Sequence, residues 1–153
     1  MKSVRQVDIN KISKSQFHRQ YVGCVVLTHD NRILLQKRGD DWKRYPGYIA
    51  EFGGQIEAGE TPMQALIREL NEELGAVVNE DEVIRFGAIT EATTHHTELV
   101  YVYFWHDKKA TITGCYEGSP AYFHNAESAL KNTKMMEGVR WLLTICRHKQ
   151  LIL

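Results

Sequence analysis

Two runs of apolar and β-branched residues, 21–28 (YVGCVVLT) and 33–37 (ILLQK), flank the polar tetrad His29-Asp30-Asn31-Arg32, a pattern that predicts a β-hairpin. Residues 38–47 carry no period and contain Pro46-Gly47, so they read as a loop, followed by a short strand at 48–52 (YIAEF) that runs into Gly53-Gly54. Further strands are expected at 83–90, at 97–106 (TELVYVYFWH), which is dense in aromatic and β-branched residues, and at 120–123. Helices are expected at 125–131 and 136–148. The helix at 61–74 has the fullest local signature: Thr61 as N-cap, Pro62 at the first helical position, Gln64 closing a capping box and Gly75 as the C-terminal stop. Met63, Leu66, Ile67, Leu70 and Leu74 fall within an arc of about 100° and form its core-facing stripe. Strands around one long helix, with helices to follow, predict a mixed α/β or α+β arrangement in one domain, 1–153.

Composition narrows the classes of function. With 153 residues, 43% hydrophobic and 25% charged, the chain resembles ordinary globular domains and is long enough to bury a core. Lys plus Arg and Asp plus Glu number 19 each, so no basic surplus marks a binder of long nucleic acid or of an anionic membrane. No apolar run approaches the roughly 20 residues of a membrane span, and residues 1–20 lack the apolar segment of a signal peptide. Cys24, Cys115 and Cys146 form no C-x-x-C pair, which fits a reducing, cytoplasmic setting and a buried Cys24. Charge is uneven along the chain. Residues 1–50 hold ten bases and four acids, 51–82 nine acids and the single base Arg68, and 83–153 eight bases and six acids.

The acidic block contains the helix, and on its wheel Glu69, Glu72 and Glu73 share an arc of about 100°. Like charges at these spacings cost a helix about 0.2–0.5 kcal/mol per pair, and anions in the last turn oppose the helix dipole. Two readings follow: a solvated acidic face, or a site for a divalent cation. Carboxylates without His or Cys suit Mg²⁺ or Mn²⁺ rather than zinc, and the loop at 53–59 can add a backbone carbonyl.

Residues 54–76, GQIEAGETPMQALIRELNEELGA, resemble the Nudix box, G-x5-E-x7-R-E-U-x-E-E-x-G-U with U a bulky aliphatic residue. Gly54, Glu60, Arg68, Glu69, Leu70, Glu72, Glu73 and Gly75 match, and Ala76 departs at a packing position. Seven identities at roughly 6% usage each have a chance frequency of about 10⁻⁹ per window. The lead-in departs too: Phe52-Gly53-Gly54 lacks the proline of the common F-P-G-G form.

The resemblance implies the Nudix fold, an α/β/α sandwich around a mixed β-sheet with the box as loop–helix–loop. It also implies hydrolysis of nucleoside diphosphates linked to another moiety. By position, Glu69, Glu72, Glu73 and the Gly53 carbonyl would hold Mg²⁺, with Mn²⁺ able to substitute. Arg68 would orient the carboxylates, Glu60 would support the loop, and Glu69 would activate water. A further ligand is expected from a late loop, with Glu117 as the candidate and Glu91 and Glu98 as alternatives. Arg38, Lys37 and Tyr48 are the candidates for holding substrate; Lys43 and Arg44 can also receive phosphates but read first as a solvated basic loop, Trp42 and Tyr45 can stack on a base, and His95-His96 reads as a polar turn rather than a substrate contact. Trp105 and Trp141 read as core. The short chain resembles the MutT-like, nucleoside-triphosphate end of the family, with oxidised or non-standard dNTPs as one substrate class. Nucleotide sugars, CDP-alcohols and dinucleoside polyphosphates are the alternatives. The reading from another class is a non-catalytic Nudix domain that binds a nucleotide and regulates a partner. Expected partners are a small nucleotide, no long nucleic acid and no membrane, with a homodimer through Leu151-Ile152-Leu153 as one use of that apolar end.

Overall fold

Strict alternation along two nine-residue runs sorts the sheet into two faces. In the computed structural model, which describes residues 3–153, β2 (Arg19–Leu27) and β7 (Glu98–His106) pair in parallel from Arg19 opposite Glu98 to Leu27 opposite His106. Val22, Cys24, Val26, Leu99, Tyr101, Tyr103 and Trp105 point to one layer, and Val25, Leu27, Val102 and Phe104 to the other, as the period-2 pleat requires. Around this pair stand β1 (Val4–Val7), β3 (Ile33–Lys37), β4 (Ile49–Ala50), β5 (Phe52–Gln55), β6 (Val83–Glu91) and β8 (Ser119–Phe123). The order is β1-β6-β7-β2-β3-β4, with β5 also on β2 and β8 also on β3; every pairing except β2–β7 is antiparallel.

Helix α1 (Pro62–Leu74) packs on the first face, while α2 (Ala126–Leu130) and α3 (Glu137–His148) cover the second. This is the α/β/α sandwich with a mixed sheet. The capping box of α1 is complete: Gln64 N–H donates to Thr61 Oγ1 at 3.2 Å and Thr61 N–H to Gln64 Oε1 at 2.9 Å. Gly75 ends the helix at φ 66°, a left-handed conformation that glycine adopts without Cβ strain. Met63, Leu66, Leu70 and Leu74 are buried and Ile67 is half-buried.

Three differences from the sequence reading have physical causes. Strand β1 was not expected, because its four residues gain strand character only by pairing with Ala88–Glu91 at the sheet edge. The expected strand 48–52 divides at Glu51, since Ala50 pairs with Gln36 of β3 whereas Phe52 pairs with Cys24 of β2. The C-terminal triplet divides as well: Ile152 is buried under α3, while Leu153 is exposed. Trp105 and Cys24 are buried and Trp141 is half-buried. No described helix is long and apolar enough to cross a membrane.

Candidate active site

The end of α1 leaves backbone carbonyls without intrahelical partners. The loop after β7 supplies them: Thr113 N–H donates to Leu74 O at 2.9 Å and Tyr116 N–H to Glu73 O at 2.8 Å. Asp107 starts that loop by accepting from Thr111 and Ile112 N–H at 2.9 and 3.0 Å. One turn of backbone bonding thereby delivers Glu117 to the side of Glu73, although they stand far apart in sequence.

Glu73 is 2% exposed, and its Oε2 accepts from Gly53 N–H at 3.1 Å. On the helical wheel it lies only about 20° from Leu66, so the edge of the acidic arc tucks under the sheet. Burial, then Glu117 and Glu69, push its carboxyl up to about 9. Glu69 is likewise raised, chiefly by burial. Gly53 belongs here for steric reasons. At φ 147° an added Cβ would overlap the Val22 carbonyl oxygen, and at Gly54 it would meet the Glu69 carboxylate.

Arg68 knits the remainder. Its Nε and Nη2 donate to the two Glu60 oxygens at 2.8 and 2.9 Å, its Nη2 to Gln55 O at 3.1 Å and its Nη1 to Glu69 Oε1 at 2.8 Å. A longer 3.4 Å contact reaches Glu72, whose side chain is 58% exposed. Glu60 also accepts from Glu57 N–H at 2.8 Å, and the guanidinium holds its carboxyl down at about 2. Lysine has one point charge and no planar fork to make these contacts together. Arg68→Lys is therefore expected to fold but to release Glu60 and Glu69 from their shared clamp and lower the melting temperature, checked by thermal melting beside wild type.

A cavity of about 300 Å³ opens from Gly53, Gly54, Glu73 and Glu117. Its walls include Gln36, Arg38, Arg44 and Tyr45, and also Glu51, Glu91 and Glu98. Arg38 is held by stacking on Trp42 at 4.6 Å and by donating from Nε to Arg44 O at 2.9 Å. Lys37 is exposed at the end of β3, and Tyr48 packs edge-on behind Tyr45 at 5.7 Å; neither lines the cavity. His95 and His96 form the left-handed turn before β7, with His96 Nδ1 2.8 Å from Thr90 Oγ1. Glu51 is not singled out by the sequence, although a charge inside the apolar segment YIAEF was the available signal. Arg44 is one of the four bases that could receive phosphates, and where the sequence favours a solvated basic loop for it, the structure places it in the cavity wall.

The donors around Glu73 are all hard oxygens, and carboxylates that raise one another without a cation suit Mg²⁺ or Mn²⁺. Among the described residues no three metal-binding side chains already form a cage. Arg68 holds Glu69 and Glu72 while Glu73 turns to Gly53. Without metal, the folded chain binds a proton at Glu73 that the unfolded chain, at 4.5, releases. Stability should thus fall as pH rises from about 4.5 to about 9, by at most about 1.4 kcal/mol per unit for this group. Glu91, raised to about 8 first by burial and then by Glu51, adds in the same direction. A melting series of the protein from pH 5 to 9 in the presence of a chelator checks this, and the fall should lessen in Glu73→Gln.

With that geometry in place, the chain belongs to the Nudix family: the NUDIX domain model matches residues 17–142. Nucleoside triphosphatase NudI from Enterobacter sp. strain 638 is 33% identical over 89 residues, covering 53% of this chain and 63% of that protein. This chain therefore spans less than two thirds of that relative's length. The MutT protein of Methanosarcina mazei Go1 shares the fold at TM-score 0.64 and 17% identity, over 90% of this chain and 99% of that one. The E. coli ORF135 protein does so at TM-score 0.62 and 24% identity, over 89% and 95%.

Proposed function

We propose that this protein hydrolyses a diphosphate linkage of a nucleoside triphosphate with the help of Mg²⁺, oxidised or non-standard dNTPs being one candidate class. The observation that carries the reading is the meeting of Glu69, Glu73 and Glu117 beside Gly53 at one end of a cavity that holds Arg38 and Arg44. The name of the NudI relative, a nucleoside triphosphatase, agrees with it.

In this reading Glu69, Glu72, Glu73, Glu117 and the Gly53 carbonyl hold the ion. Mn²⁺ can stand in for it. A bound divalent ion supplies positive charge against the diphosphate oxygens and acidifies water at the site. Arg68 fixes Glu69, and Glu60 fixes Arg68. Glu69 takes the proton of the attacking water, the task of a general base within hydrogen-bond reach. Arg38 neutralises phosphate charge during in-line displacement. Lys37 and Tyr48, outside the cavity, leave that task to Arg38.

A hydrolysis screen with Mg²⁺ and Mn²⁺ tests the reading. The panel spans dNTPs including oxidised ones, nucleotide sugars, ADP-ribose, CDP-alcohols and dinucleoside polyphosphates. Preference for a triphosphate, lost in Glu73→Gln, supports it. Preference for another member moves the substrate class, and nucleotide binding without any hydrolysis favours the regulatory domain.

A further inference from the structure

The same cavity is lined by a second set of carboxylates, Glu51, Glu91 and Glu98, to which the proposed phosphate chemistry gives no task. Glu98 is 9% exposed and its Oε2 meets no donor. Its other oxygen reaches Arg44 only at 3.7 Å. Glu91 is 8% exposed, with a single 3.4 Å contact from Thr93 Oγ1 to its Oε2. Glu51 Oε2 is buried without a partner as well. The backbone makes room for two of them: a Cβ on Gly23 would lie 2.7 Å from Glu51 Cγ, and one on Gly138 would strike Glu91 Oε1. Buried acceptors left unsatisfied are costly, so carboxylates seated this way in a cavity wall call for a donor from a ligand.

We infer that Glu51, Glu91 and Glu98 form the base end of the substrate site and select a nucleobase that presents an exocyclic amino group. The inference rests on the nucleotide reading above. Carboxylates repel phosphate, so this end takes the part of the substrate farthest from it. Val100, Met136 and Ala50 give the same cavity apolar surface for a flat ring. Arg44, 3.7 Å from Glu98, opposes a fixed cation there, which favours a neutral group rich in N–H donors. A keto group in the amino position would place one more acceptor against the unpartnered Glu98 Oε2.

The test compares kcat/KM for dCTP against dUTP, and for dGTP and dATP against dITP, in the full chain. It also measures binding of the matching deoxynucleosides by calorimetry. The amino-bearing member should be favoured by about 10-fold or more. In Glu91→Gln and Glu98→Gln that ratio should shrink, through a higher KM for the amino-bearing substrate. Equal kcat/KM within every pair overturns the inference and leaves the hydrolase standing. An unchanged ratio in both folded variants also overturns it. Amino-selective nucleoside binding without hydrolysis supports the subsite while overturning the hydrolase. The wild-type comparison needs no variant to fold.

Discussion

Replacing Glu73 with Gln should lower the kcat of the proposed hydrolysis by about 10³-fold while leaving the metal-free protein as stable as before, or more so, at pH 8. The two halves of this result come from one position. Glutamine keeps an oxygen for the Gly53 N–H, which the native Oε2 accepts at 3.1 Å, and it fits the same space. It needs no proton, so the cost of protonating Glu73 on folding at pH 8, beside Glu69 and Glu117, disappears. What it cannot supply is a negative oxygen for a divalent ion. Steady-state hydrolysis and thermal melting of the same preparation check both halves. A variant that keeps near-normal turnover would remove Glu73 from the proposed metal site. A variant that melts far below wild type would instead show that the charge itself holds β5 against α1.

Gly53→Ala should damage the fold as well as the chemistry, by about 3 kcal/mol or more. The backbone at φ 147° is one that L side chains rarely adopt, and the methyl group would overlap the Val22 carbonyl in the adjacent strand. Backbone has no alternative rotamer, so β5 must move away from β2. Gly54→Ala makes the informative contrast. Its methyl meets only the end of the Glu69 side chain, which can swing aside. That variant should melt near wild type and lose activity through a displaced Glu69. Chemical denaturation of the pair, with activity measured alongside, separates backbone strain from carboxylate placement.

Much of this protein is decided locally. The capping box at Thr61, the glycine stop at Gly75 and the apolar stripe of α1 follow from interactions within a few residues, so they can be read along the chain. The same holds for the period-2 alternation of β7, whose aromatic side of the strand becomes the core under α1. The box spacing, which places Arg68 eight residues from Glu60, already contains their bidentate pair because both lie on one loop–helix unit.

Other features exist only once distant segments meet. Edge strand β1 is made by β6, and the split of 48–52 by the change of partner from β3 to β2. Glu69, Glu72 and Glu73 look alike on a wheel, yet the sheet buries Glu73 and leaves Glu72 in solvent. Glu117 reaches the site because the end of α1 needed donors for its carbonyls, a requirement met from a loop some forty residues later. Glu51, Glu91 and Glu98 come from three different strands or strand ends and share one cavity only through sheet pairing. The sequence by itself determined the helix, the strand faces and the residue types of the site. Tertiary structure alone decided which carboxylates are buried and which face one another, because desolvation and long-range pairing depend on segments that sequence spacing does not relate.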